Sequence, residues 1–127
     1  MPALNRLPAT RIVATPSALD AAAWPANILA LRIASDEVLV TPPAPEIKLN
    51  DPHAIFEPDS GFADVWLAAD EALKFLEREC EWELPAERPA FAQGMVAGIA
   101  AKLWLESDRV LIIVPAPFVA DFEERMT

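Results

Sequence analysis

Two glycines four residues apart, Gly94 and Gly98, and a few side chains able to serve as nucleophile, base or metal ligand are where chemistry in this chain would begin. The glycine spacing is neither the dinucleotide fingerprint nor the P-loop, and no lysine–serine pair follows it. Within a strand such glycines mark a bulge or a close approach of backbone, which is the expectation here. His53 and Cys80 are the only strong nitrogen and sulfur ligands, too few for a dedicated metal centre. A calcium-type site would need a ligand loop whose spacing is not present. Cys80, on the expected inner face of a helix, reads as a small core residue, because apolar surroundings suppress the thiolate. Ser60 follows His53 by seven residues but lacks the strand–turn–helix nucleophile elbow, and Asp59-Ser60-Gly61 is ordinary turn chemistry. No catalytic, cofactor-binding or metal-ligating residue is assigned.

One cluster is anomalous. Glu79, Glu81 and Glu83 crowd the carboxyl end of a helical segment, where the helix dipole favours cations, with only Arg78 and Arg88 near. It is either a solvated acidic face or a patch for a basic partner surface, in which case Trp82 suits the centre of the contact. The residues expected to touch a partner are Trp24, Glu79, Trp82 and Glu83.

Composition sets the limits around these residues. Ten basic against twenty acidic side chains give a net charge of −10, so a phosphate backbone is repelled and nucleic acid is not an expected ligand. A single cysteine excludes an internal disulfide and fits a reducing compartment. Prolines and arginines interrupt the first 25 residues, no later stretch reaches the roughly 20 apolar residues of a membrane span, and a cytoplasmic location off the membrane is expected. Four tryptophans and six phenylalanines are ample for packing and slightly rich for a chain this size, and some of that apolar surface is expected to face a partner.

The elements that must position these groups follow from hydrophobic period. Nine of the thirteen prolines fall in the first 60 residues, which are expected to be loop-rich. Residues 1–24 form a slightly basic, extended amino-terminal arm on an otherwise acidic single domain of residues 1–127. Residues 28–40 read as a β-hairpin stopped by Pro42 and Pro43, 41–53 as an extended connection, and 54–61 as a short strand and turn. Residues 62–67 suit a strand, and 69–82 a helix with Ala69, Leu73, Leu76 and Cys80 on one face, widened at its edges by Phe75 and Trp82. Residues 94–105 alternate as one long strand bent near Gly98, joined through Glu106–Arg109 to the β-branched run of residues 110–114. Pro117 opens a final helix whose inner face is Phe118, Val119, Phe122 and Met126. The expected fold class is α+β: an antiparallel sheet with helices packed on one face, a βαββα core plus an amino-terminal β-hairpin.

Three stretches taken together, "AAWPANILALRIASDEVLV", "ADVWLAADEALKFLEREC" and "FAQGMVAGIAAKLWLESDRVLIIVPAPFVADFEERM", resemble the gamma subunit of heterotetrameric sarcosine oxidase. That family is in turn similar to the folate-binding region of the glycine-cleavage aminomethyltransferase, the T-protein. The resemblance covers about residues 24–127 and includes Gln93, Gly98 and the helix after Pro117; the amino-terminal section departs from the family pattern. It implies a T-protein-like fold and a non-catalytic gamma-like role in assembly, with no cofactor in this chain. The implied partners are the flavoprotein alpha and beta subunits of a flavin-dependent sarcosine or secondary-amine oxidase. A stand-alone folate or small-acid binding module, with Arg32 or Lys102 as its cation, and a self-associating homodimer are the alternatives.

Overall fold

The computed structural model describes residues 3–44 and 46–127. Residues 1–2 of the expected arm and residue 45 of the expected connection lie outside the described residues. In chain order the elements are β1 (Asn5–Arg6), β2 (Ala9–Val13), α1 (Pro16–Asp20), β3 (Leu29–Ala34), β4 (Glu37–Thr41), β5 (Ile55–Asp59), β6 (Phe62–Ala68), α2 (Ala69–Glu79), β7 (Ala90–Val96), β8 (Ile99–Leu105), β9 (Arg109–Pro115) and α3 (Val119–Met126). The architecture is α+β with two antiparallel sheets, where one sheet was expected. The chain divides into two compact units, Leu7–Ser60 and Gly61–Thr127, the latter taking in the described residues before Leu7.

Within the stretch expected to be an arm, residues 3–24 supply elements to both units. β1 pairs with β6, and the Leu4 amide donates to the Glu123 carboxylate at 2.8 Å. β2 is an interior strand, bonded on one side to β4 and on the other to β5. The pattern that permits this is the alternation of "ATRIV", which buries Thr10 and Ile12 on one face while Arg11 and Val13 stay half-buried.

In the carboxyl-terminal unit the sheet order is β1-β6-β9-β8-β7. β9 lies between β6 and β8, and its residues Val110 to Val114 are all buried, as a continuous β-branched run requires. The stretch 94–105 is not one bent strand. It is the β7–β8 hairpin, closed by Ala97 (φ 53°) and Gly98 (φ 76°), both in the left-handed region that a two-residue type I′ turn demands. α2 and α3 cover one face. α2 buries Ala72, Phe75 and Leu76, while Leu73 is 40% exposed, so the inner face is rotated from the expected one. Its phase is set by Phe75, which meets Phe122 of α3 edge-on at 5.5 Å between ring centroids and 72°. α2 ends at Glu79 rather than at residue 82, because Cys80 is extended (φ −118°, ψ 119°). Residues 116–118 form a 3₁₀ turn ahead of α3, which turns Phe118 outward and leaves Phe122 and Met126 as the buried face.

The Leu7–Ser60 unit has the order β3-β4-β2-β5. The hairpin expected near residues 28–40 is β3–β4, with Ala30 opposite Val40 and Leu31 opposite Leu39. One sheet face packs Ile12, Val38 and Val40 against Ala18 and Leu19 of the five-residue α1 and against Trp24, Ile47 and Leu49. Thr15 caps α1, its hydroxyl accepting from the Ala18 amide at 3.3 Å, and Pro16 occupies the first turn, where no amide hydrogen is needed.

Candidate interaction surface

Beyond the end of α2 the chain doubles back along β7, the edge strand of its sheet. Here Trp82 lays its indole over Gly94, where a Cβ would fall within the ring system. The indole Nε1–H donates to the Met95 carbonyl at 2.9 Å, satisfying an acceptor of the edge strand. Gly94 therefore marks a close approach, as its position in a strand implies, although a tryptophan ring rather than backbone is what approaches. The Cys80 thiol donates to the Trp82 carbonyl at 3.5 Å, and the Ala97 amide to the Glu79 carbonyl at 2.9 Å. The end of α2, the residue-82 segment and the β7–β8 turn are thus locked together by named hydrogen bonds.

Glu79 is held inward. Its side chain is only 17% exposed and lies between Arg78 (3.2 Å) and Arg125 of α3 (3.6 Å), while Arg78 also donates to the Arg125 carbonyl at 3.2 Å. Arg125 thus pairs across to α2 rather than along its own helix with Asp121. With two arginines against its one carboxylate, the Glu79 cluster is net positive.

Two adjoining grooves open on either side of the small Ala97-Gly98 turn and share Arg125. One, about 480 Å³, is lined by Glu81, Trp82 and Met95 among others. The second, about 460 Å³, is lined by Ile99, Phe118, Asp121 and Glu124. Met95 is 56% and Phe118 46% exposed, large values for side chains of that size and polarity. The arrangement offers apolar contact area with a charged rim, balanced between Glu79, Glu81 and Arg78, Arg125 in the first groove and with Asp121 and Glu124 in excess over Arg125 in the second.

Of the four residues expected at a partner contact, the structure brings Glu79 and Trp82 together here. Glu83 is exposed but lines neither groove, and Glu79 is engaged internally. Trp24 belongs to the other unit, where it is half-buried against the Ile12 cluster. Met95, Phe118, Asp121 and Glu124 escaped the sequence reading. Phe118 shares its type and helical spacing with the buried Phe122, and only the 3₁₀ turn separates them.

The other candidates are placed as follows. His53 is exposed in a turn, its amide donating to Asp51 Oδ1 at 2.9 Å. Among the described residues no group of three His, Cys, Asp or Glu side chains is placed to hold a metal ion, and no helix is long and apolar enough to cross a membrane. Arg32 is bound to Asp20 at 2.9 Å and to the carbonyls of Pro16, Ala34 and Ser35. Lys102 places its ammonium 5.0 Å from the Phe62 ring centroid. The Leu7–Ser60 unit has a cavity of about 330 Å³ lined by Pro8, Pro43, Phe56 and Pro58 with Glu57 and Asp59, an apolar slot whose carboxylates disfavour an acidic ligand. Comparison with protein-family models, with curated proteins and with solved structures gave no match to this chain.

Proposed function

We propose that this chain is a non-catalytic, gamma-like accessory subunit of a heteromeric flavin-dependent sarcosine or secondary-amine oxidase, helping to hold the assembly together. The observation that carries the protein-binding part is the exposure of Met95 and Phe118 at two adjoining grooves, one of them walled by Trp82. Exposed apolar side chains of this size gain by burial against a partner, at about 25 cal/mol per Å² of apolar area removed from water. The oxidase part rests on the sequence resemblance over residues 24–127. Within the α+β class, the T-protein-like fold belongs to the same proposal and has the same support.

The small-acid alternative is weakened at one of its cations, because Arg32 is already engaged by Asp20 and the carbonyls of Pro16, Ala34 and Ser35. The test is to co-express the tagged chain with candidate alpha and beta subunits, purify at low salt, and record flavin absorbance and sarcosine turnover of the eluate. A yellow, sarcosine-oxidising complex is expected. A colourless eluate containing this chain alone, together with saturable quenching of its tryptophans by a folate, would overturn the reading in favour of a free binding module.

A further inference from the structure

We propose that the paired grooves beside the Ala97-Gly98 turn receive a segment of a partner chain in which apolar side chains alternate with lysine or arginine. This deepens the protein-binding part of the function proposed above and rests on it, but not on the partner being an oxidase.

Shape comes first. Gly98 has no neighbouring atom within 4 Å of where a Cβ would stand, so the turn is a low ridge that a partner's backbone can cross closely. On one side lie Trp82 and Met95, on the other Ile99 and Phe118, so a segment crossing the ridge can place an apolar side chain on each side. Trp82 is a rigid wall, because its ring is pinned by the Met95 carbonyl and packs over Gly94. Rigid aromatic walls of this kind anchor interfaces with little loss of side-chain entropy.

Charge then selects the occupant. Arg78 and Arg125, the cations at the grooves, are committed to Glu79. Glu81, Asp121 and Glu124 point no carboxylate at a cation among the described residues; Glu79 and Glu81 balance Arg78 and Arg125 in the first groove, and Asp121 and Glu124 outweigh Arg125 in the second, so the paired grooves are net negative with the excess on the Phe118 side. An acidic segment would be repelled, and a neutral apolar one would leave the rim unanswered. A basic-apolar segment satisfies both features and gains a faster, salt-sensitive approach to a chain of net charge −10. A second copy of this chain brings the same negative charge and is disfavoured.

The experiment measures binding of two synthetic peptides, one alternating lysine with leucine and phenylalanine, the other its glutamate counterpart, to the full chain over a range of salt. Wild type is expected to bind the lysine peptide, more weakly as salt rises, and to ignore the glutamate peptide. Combined Glu81→Lys, Asp121→Lys and Glu124→Lys, all exposed positions, should weaken lysine-peptide binding by roughly tenfold or more. Met95→Ser and Phe118→Ser should weaken it without changing the salt dependence. Near-ultraviolet circular dichroism checks that each variant is folded. Equal lysine-peptide affinity for wild type and the triple variant overturns the proposal, as does preference for the glutamate peptide or a homodimer that the triple variant dissolves. If the lysine peptide binds as expected while no flavoprotein co-purifies, the oxidase reading fails and the groove assignment stands.

Discussion

The two units face one problem, covering an apolar face of an antiparallel sheet, and they cover it with different material. The Gly61–Thr127 unit uses α2 and α3, whose backbone amides and carbonyls bond within each helix, so that side chains such as Phe75, Leu76 and Phe122 are left to pack. The Leu7–Ser60 unit has only one turn of α1 and an irregular segment bearing Ile47, Leu49 and Ala54. Irregular backbone does not satisfy its own polar groups, so side chains must. Thr10 Oγ1 accepts from the Ala44 amide at 3.1 Å, Asp51 accepts from the Thr15 and His53 amides, and Thr41 donates to the Pro8 carbonyl. One unit is held at its cover mainly by apolar packing, the other by side-chain-to-backbone bonds placed at a few positions.

The largest test of that difference is Phe122→Ala. Phe122 is fully buried and meets Phe75 edge-on, and removing such a ring costs about 3–5 kcal/mol. Hydrogen exchange should show protection lost across α2, α3 and their sheet, with residues 7–60 losing less. Equal loss in both units would break the comparison, since it would mean that they open as one cooperative body.

Thr10→Val acts on the other unit with a smaller effect. The substitution keeps the shape of a side chain that is 4% exposed but removes the oxygen that accepts from the half-buried Ala44 amide, a loss of about 0.5–1.5 kcal/mol. Residues 42–54 should lose exchange protection first. If they keep it and the melting temperature is unchanged, the contacts of Ile47 and Leu49 suffice and the polar account of this cover is wrong.

This contrast also explains which parts were legible in the sequence. β9 could be read because a buried interior strand needs an uninterrupted β-branched run, and α2 because its apolar residues recur at helical spacing. The β7–β8 turn could not, since its first residue is Ala97, and alanine at positive φ carries none of the Asn-Gly or Asp-Gly signal of such turns. The cover of the Leu7–Ser60 unit was hidden because its bonds join positions far apart in sequence, as with Thr10 and Ala44. The grooves were half legible. Trp82 and the acidic end of α2 drew attention through local charge, but the inward turn of Glu79 depends on Arg125 of α3, and the exposure of Met95 depends on a hairpin that was read as one strand.

The smallest effect separates the units by sign. Asp64 of β6 is half-buried, and loss of hydration raises its pKa, only partly offset by a hydrogen bond to its own backbone. Asp51 accepts the His53 and Thr15 amides, which lower its pKa. For Asp64 the unfolded chain ionises at lower pH than the folded one, so the carboxylate opposes folding above the raised folded value. That penalty is relieved as pH falls from there toward the ordinary aspartate value of about 3.9. For Asp51 the stabilisation is complete above about pH 3.9 and is lost as pH falls further, through the depressed folded value. Exchange protection recorded from neutral pH into the acid range should therefore rise slightly in the Gly61–Thr127 unit before it falls in residues 7–60. Asp64→Asn should remove the rise and leave the fall, and Asp51→Asn the reverse. If either variant altered both limbs, the two carboxylates would be reporting on one shared equilibrium, and the division between a packed cover and a hydrogen-bonded one would not extend to how the units respond to acid.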